Sequence, residues 1–189
     1  MTDFFGNITN SFPAKEVKQP DFSSFVAFDL ETTGLPTGSH IIEVGAVKVV
    51  NGQITDCFSE LVNPGIKIPC NITQITGISD DMVRTADTTV NVLCRFRDFA
   101  NGFVLVGHNA LSFDCRIMRY WTDEYGIYLP NDVFDTLKYS KYRCEKLASL
   151  KSKKLGDLCD YFGIYSDTYH RAAADAEMTA KLYLKLYSL

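Results

Sequence analysis

Two carboxylates stand two residues apart in a stretch that is otherwise apolar. The segment reads Phe25-Val-Ala-Phe-Asp29-Leu-Glu31, and its short apolar run is typical of a strand buried on both faces. Side chains two apart on a strand share a face, so the two carboxylates repel each other. Mg²⁺ or Mn²⁺, which prefers oxygen ligands, neutralises such a pair. Acid pairs at this spacing are also common on exposed strand faces, and the pattern by itself leaves both interpretations open.

Two further groups of polar residues follow later in the chain. His108-Asn109 and Phe113-Asp114 come after an apolar run and enter a predicted helix, where an acid in the first turn interacts favourably with the helix dipole. Asp114 therefore fits a helix cap as well as a metal ligand. The third group, His170-Arg-Ala-Ala-Ala-Asp175, begins the last predicted helix. Taken alone, His170 fits a surface histidine better than a catalytic base.

The segments around these residues predict an α/β domain. Apolar runs and a hairpin signal at Asn51-Gly52 predict five strands, at about 25–30, 41–50, 53–61, 103–106 and 133–134. Helical spacing and glycine stops predict helices between and after them, at about 72–77, 90–99, 113–125, after 135, at 155–162 and at 172–186. This order predicts a mixed five-stranded central sheet with helices on both faces.

Composition indicates one soluble domain in the cytoplasm. The chain has 189 residues and a formal net charge of −4, which excludes a protein that holds nucleic acid by bulk charge. The six cysteines are far apart and predict reduced thiols, and neither a signal peptide nor a membrane span is predicted. Residues 1–23 lack periodicity and are expected to form a tail or arm packed on a domain of residues 24–189.

One segment departs from the acidic average. Between Lys138 and Lys154 lie seven basic residues and the single acid Glu145. A solvated helix face and a phosphate-contacting surface explain this asymmetry equally well.

Taken together, the motifs resemble the DnaQ-like exonucleases with the Asp-Glu-Asp-Asp-His arrangement, called DEDDh. The resemblance runs from about Phe25 to the C-terminus and is greatest to the proofreading epsilon subunit of bacterial DNA polymerase III and to the exonuclease domain of PolC-type polymerases. It rests on the three motifs in order and on two supporting segments, Ile41-Ile-Glu-Val-Gly-Ala46 and Ile72-Thr-Gln-Ile-Thr-Gly77-Ile78. Two departures stand out: six positions rather than five separate His108 from Asp114, and the last motif carries the small triplet Ala172-Ala-Ala174. Arg171 stands where the other branch of the family has a tyrosine, which favours the histidine branch.

The resemblance implies a ribonuclease H-like fold and a two-metal 3′–5′ exonuclease. Two Mg²⁺ or Mn²⁺ ions would be held by Asp29, Glu31, Asp114 and Asp175, with Asp29 bridging both ions. His170 would be the general base, because an imidazole with a pKa of about 6.5 suits proton removal near neutral pH. His108 is the alternative base, although with Asn109 it fits a structural or substrate-orienting role better.

The resemblance also implies how the substrate binds. The substrate-binding residues would be Thr32, Thr33, Gly34, Leu35, Ile78, His108, Asn109 and Phe113. Among them, Ile78 would press on the terminal base, and Phe113 would pack in the core rather than touch a nucleotide. The expected partner is a single-stranded 3′ end, with DNA favoured, and a DNA polymerase subunit is a further expected partner, which the enzyme would serve by proofreading. The alternatives are an exoribonuclease and a non-catalytic nucleic-acid-binding module.

Overall fold

A computed structural model describes residues 12, 15–18, 22–165 and 171–189. Its strands are β1 (Glu16–Val17), β2 (Phe25–Thr32), β3 (Ile41–Val50), β4 (Gln53–Asn63), β5 (Asp87–Thr88), β6 (Leu105–Gly107) and β7 (Val133–Asp135). Its helices are α1 (Cys70–Thr76), α2 (Asp80–Val83), α3 (Thr89–Ala100), α4 (Asp114–Tyr125), α5 (Thr136–Tyr142), α6 (Leu155–Phe162) and α7 (Ala172–Tyr187), with a 3₁₀ turn at Glu145–Leu147.

The strands form a mixed sheet in the order β1-β7-β6-β2-β3-β4-β5. The hairpin β2–β3–β4 is antiparallel, whereas β6 runs parallel to both β2 and β7. The prediction of an α/β domain with a mixed sheet is confirmed, and the five predicted strands are its centre. The structure adds β1 and β5 at the edges, where strands of two residues are too short to show a periodic pattern.

Side chains alternate between the faces of β2 and so place its carboxylates. Phe28 and Leu30 face a core that includes Phe96 of α3 and Ile117 of α4. Phe25 and Ala27 face the other way, onto Tyr183 of α7 and its neighbours. Asp29 and Glu31 continue this second row. The face that is apolar where β2 begins is therefore acidic where β2 ends.

Helix α7 lies across β2 and β3. Like the face of β2 that it covers, it has apolar residues at one end and an acid at the other. Its later turns bring Ala180 and Tyr183 to the apolar start of β2. Its first turn brings Asp175 to the acidic end. Among the described helices, none is both long and apolar enough to cross a membrane.

The described part of the N-terminal segment packs on the sheet. Phe12 is fully buried in the core, and β1 pairs in parallel with β7. The Phe22 ring stacks on the Tyr183 ring at 4.9 Å, and the Tyr183 hydroxyl donates to the Phe22 carbonyl at 2.8 Å. The boundary between a tail and a domain at residue 23 stays a prediction, and most of residues 1–21 lie outside the described residues.

Candidate active site

Three carboxylates meet where β2 ends and α7 begins. One oxygen from each of Asp29, Glu31 and Asp175 lies within 4.8 Å of the others, and all three side chains are half-buried. Three acids this close in a partly dry environment require a cation or protons. The structure brings these three predicted residues together, and oxygen ligands of this kind fit Mg²⁺ or Mn²⁺.

The electrostatics of the cluster follow from burial and from the closeness of several acids. Burial, reinforced by four neighbouring acids, raises the pKa of Asp29 well above its ordinary value. Burial and the charge of Asp175 raise the pKa of Glu31 to about 8, against a small lowering by Arg171. Without a cation, both carboxylates therefore hold protons more tightly than exposed acids do.

This arrangement predicts that the metal-free protein loses stability as the pH rises. An acid whose pKa is raised on folding stabilises the folded state at low pH, and that stabilisation is lost as the pH climbs through the folded pKa. For Glu31 the window runs from its ordinary 4.5 to about 8. We expect the melting temperature measured in a chelator to fall across this range and Mg²⁺ or Mn²⁺ to restore it. A melting temperature in chelator that rises with pH over the same range would contradict the assignment, and Glu31→Gln should weaken the dependence.

Asp114 lies beside the cluster at the start of α4. Its side chain is buried, and Oδ1 accepts a hydrogen bond from the Leu30 backbone N–H at 3.2 Å. Burial raises the pKa of Asp114 to about 7, and its charge in turn raises the pKa of Asp29. Asp114 is therefore in electrostatic contact with the site, although it is not one of the three closest ligands.

The loop that precedes Asp114 is held by Asp135. The buried Asp135 carboxylate accepts from the backbone N–H groups of Asn109 and Leu111, both at 3.1 Å, and from Lys138 N–H at 3.0 Å. Asn109 has a φ of +64°, a left-handed backbone conformation that residues other than glycine rarely adopt. The extra residue between His108 and Asp114 is accommodated by this bonded turn.

His108 has a bonded ring in the same loop. Its Nδ1 lies 2.8 Å from Thr136 Oγ1, and burial lowers the pKa of His108 to about 4. An imidazole with so low a pKa is a weak base near neutral pH. These contacts favour the structural or orienting role over the catalytic alternative.

A carboxylate on β3 fixes the start of α7. Glu43 is 1% exposed and accepts from the Ala172 backbone N–H at 2.9 Å, which caps the helix. The same carboxylate receives Arg171 Nη2 at 2.6 Å and Nε at 3.1 Å. Next to it, a Cβ added to Gly45 would lie 2.0 Å from the Ala172 carbonyl carbon. Helix α7 thus begins in direct backbone contact with β3, and this contact sets the position of Asp175.

Glu43, Gly45, Asp135 and Arg171 are absent from the predicted site. The segment Ile41–Ala46 matches the family pattern, yet the pattern assigns no role to its acid or its glycine. A charged residue and a glycine inside an apolar strand are the signals that mark such a contact. His170, the predicted base, lies outside the described residues.

The predicted substrate-binding turn follows β2. Thr32 is buried and donates from Oγ1 to the Gly34 carbonyl at 2.7 Å, while the Thr33 N–H donates to the His40 carbonyl at 2.8 Å. Leu35 is 74% exposed, and its carbonyl accepts from Arg116. The turn is therefore a bonded loop that presents one large apolar side chain to solvent.

Two predicted substrate contacts are apolar residues inside the protein. Phe113 is partly buried against the core, as the packing interpretation predicts. Ile78 is fully buried in a cluster with Ile42, Ile68 and Val83, so the prediction that it presses on a terminal base does not agree with its position. The glycine before it ends α1 and turns the chain inward, whereas Ile75 on α1 is 55% exposed.

Comparison with known sequences identifies the family. Residues 26–183 match the family model described as exonuclease. The PolC-type DNA polymerase III of Caldanaerobacter subterraneus subsp. tengcongensis is 42% identical over 163 residues, which cover 86% of this chain and 11% of that protein. The PolC-type enzyme of Bacillus subtilis is 38% identical over 169 residues, with the same coverage of each. The chain thus spans about a tenth of the length of these curated relatives.

Solved structures show the same fold. Exonuclease X, solved with 5′-overhanging duplex DNA, is 25% identical with a TM-score of 0.70 and covers 87% of this chain and 91% of its own. The nuclease domain of 3′hExo, a DEDDh family member bound to rAMP, is 19% identical with a TM-score of 0.73 over 90% of this chain and 94% of its own. The predicted ribonuclease H-like fold is confirmed. The chain belongs to the exonuclease family.

Proposed function

We propose that the enzyme releases mononucleotides from the 3′ end of single-stranded DNA and that two Mg²⁺ or Mn²⁺ ions support the reaction. The observation that carries this proposal is the cluster of Asp29, Glu31 and Asp175, whose carboxylate oxygens lie within 4.8 Å of one another and whose closeness helps to raise the pKa of Asp29. A phosphodiester brought to an acidic cluster is repelled unless cations stand between the two. A metal-dependent reaction on a phosphate is therefore the chemistry that fits this site best.

Each acid has a separate task in this proposal. Asp29, Glu31 and Asp175 would hold one ion, and Asp114, which is close enough to raise the pKa of Asp29, would support the second with Asp29. When bound, such a pair of ions supplies an activated water, neutralises the phosphoryl oxygens and stabilises the leaving alkoxide. The Glu43 cap keeps Asp175 in reach of Asp29.

Similarity supports DNA as the substrate. The curated relatives named above are DNA polymerases, and exonuclease X was solved with DNA. We propose that the chain proofreads for a polymerase of this kind, which would place it in the cytoplasm. The turn of Thr32, Thr33, Gly34 and Leu35 would receive the terminal nucleotide, with Leu35 as its exposed apolar contact.

A substrate panel tests the proposal. Matched single-stranded DNA, single-stranded RNA and a primer-template with a mismatched 3′ end, each labelled at the 5′ end, are incubated with Mg²⁺, Mn²⁺ or a chelator. We expect the DNA to shorten one nucleotide at a time from the 3′ end and the chelator to stop the reaction. Shortening from the 5′ end or internal cleavage would contradict the proposal. Faster hydrolysis of RNA would instead favour an exoribonuclease, and binding without hydrolysis under every metal condition would favour a non-catalytic module.

We further propose that His170 is the general base. Replacing it by alanine should lower kcat by about 10²–10⁴-fold, which is the usual contribution of a positioned acid–base group. Metal binding should persist, measured as the rise in melting temperature on Mn²⁺ titration, and added imidazole should restore part of the rate. Loss of the metal-induced rise in His170→Ala would identify His170 as a ligand instead.

A further inference from the structure

A basic pocket lies next to the acidic cluster. It is a cavity of about 400 Å³ whose polar lining includes His108, Asn109, Lys141, Lys151, Lys153 and Lys154. Among its described lining residues there is no carboxylate. Four lysines of the basic segment between Lys138 and Lys154 therefore line one cavity and are not distributed along a single helix face.

This basic pocket adjoins a second cavity that Asp175 lines. The second cavity, of about 430 Å³, is lined by Lys154, Leu155, Gly156, Asp157, Asp160, Asp175 and Met178. Lys154 and Leu155 line both cavities. The two cavities therefore adjoin at the start of α6, and Asp175 of α7, a predicted metal ligand, lines the second.

Several lysine charges in the pocket are available to a ligand. Lys138 and Arg143 of the same segment both pair with Glu16, and Lys153 Nζ donates to the Leu150 carbonyl. Within the described part of the chain, no acid forms an ion pair with Lys141, Lys151 or Lys154. Like charges gathered without partners are unfavourable unless an anion joins them.

We propose that the basic pocket binds backbone phosphates of the DNA strand that remains after cleavage. The inference rests on the proposed function, because an exonuclease brings a single scissile phosphate to the carboxylates and every other phosphate belongs to the retained strand. A chain with a net charge of −4 repels DNA in bulk, so this local positive surface must hold the strand. The lysines act as point charges on successive phosphates, and Asn109 and His108 line the same pocket.

The test compares a substrate that has upstream phosphates with one that lacks them. The variant Lys141→Ala/Lys151→Ala is assayed on a single-stranded DNA oligonucleotide and on the p-nitrophenyl ester of thymidine 5′-monophosphate. The matched control is Lys18→Ala/Lys185→Ala, which removes two exposed lysines outside the pocket. We expect KM for the oligonucleotide to rise about tenfold in the pocket variant alone. The pocket variant should still hydrolyse the mononucleotide ester, because that substrate has no upstream phosphates. This retained activity also shows that the variant is folded.

A binding measurement separates this proposal from the proposed function. Oligonucleotide affinity is measured by fluorescence anisotropy at several salt concentrations in an Asp29→Ala background. Loss of two phosphate contacts should reduce the slope of log affinity against log salt by about 1.4, since each contact to a single strand contributes about 0.7. Equal slopes in the pocket and control variants, or an equal loss on both substrates, would overturn the phosphate pocket. Absence of any hydrolysis by the unaltered chain would overturn the exonuclease proposal but leave this binding result to stand.

Discussion

Asp29→Ala is expected to reduce metal-dependent release of mononucleotides by at least about 10³-fold, more than the loss of a single charge-stabilising group. Asp29 lies within reach of both Glu31 and Asp175, and four acids raise its pKa. Its removal takes away a predicted bridging ligand and also relieves repulsion in the metal-free site. We therefore expect the variant to melt a few degrees higher than the unaltered chain in chelator and to gain nothing from Mg²⁺ or Mn²⁺.

The matched control for this change is Asp132→Ala. Asp132 is exposed and lies just before β7, whereas Asp135 is the last residue of that strand. Replacing Asp132 removes one negative charge, as Asp29→Ala does, but leaves the acidic cluster unchanged. Rate and metal-induced stabilisation should be those of the unaltered chain. Full activity of Asp29→Ala would exclude the two-metal assignment, and a persistent metal-induced rise in its melting temperature would place the metal elsewhere.

Gly45→Ala is expected to lower both the stability and the rate. The new Cβ would lie 2.0 Å from the Ala172 carbonyl carbon and 2.1 Å from the Ala173 nitrogen. Both are backbone atoms that no side-chain rotation can move, so the start of α7 must shift. Overpacking of this kind costs about 3 kcal/mol of unfolding free energy, and displacing a reacting group by about 1 Å can cost about 10²-fold in rate. We expect a lower melting temperature together with a rate loss, measured by thermal denaturation and by oligonucleotide hydrolysis.

Gly156→Ala serves as the control for stability. Gly156 lies in α6, a Cβ there meets nothing within 4 Å, and alanine in a helix is about 0.5–1 kcal/mol more favourable than glycine. Its melting temperature should be unchanged or higher. If Gly45→Ala melts like the unaltered chain, the close contact between β3 and α7 does not constrain the helix.

Local patterns were sufficient to predict most of the fold and the acids of the site. Apolar runs and turn signals are properties of a few neighbouring residues, and they located β2, the hairpin and α6. The acids Asp29, Glu31 and Asp175 came from motif order, and their proximity follows because β2 ends where α7 begins. The edge strands were not predicted, because two residues that pair only through β7 or β4 leave no periodic pattern.

Contacts between distant residues could not be derived from these patterns. Glu43 and Arg171 are 128 positions apart. Nothing in either segment indicates that Glu43 caps α7, the helix that Arg171 precedes. Asp135 holds the turn at Asn109 across 26 positions. For Ile78 the motif predicts a substrate contact, but it does not show which way the side chain points. Only the packing around α1 and α2 shows that this side chain is buried.

The stacking of Phe22 on Tyr183 has a consequence for how such a unit can be carried by a larger polypeptide. Phe22, which lies just before β2, and the last helix lie side by side, joined by ring contact and by a hydrogen bond from the Tyr183 hydroxyl. Phe12 and β1 come before Phe22 and pack on the same sheet. A larger polypeptide that carries this unit must therefore keep the segment from Phe12 onward together with α7, because contacts of both complete the same fold.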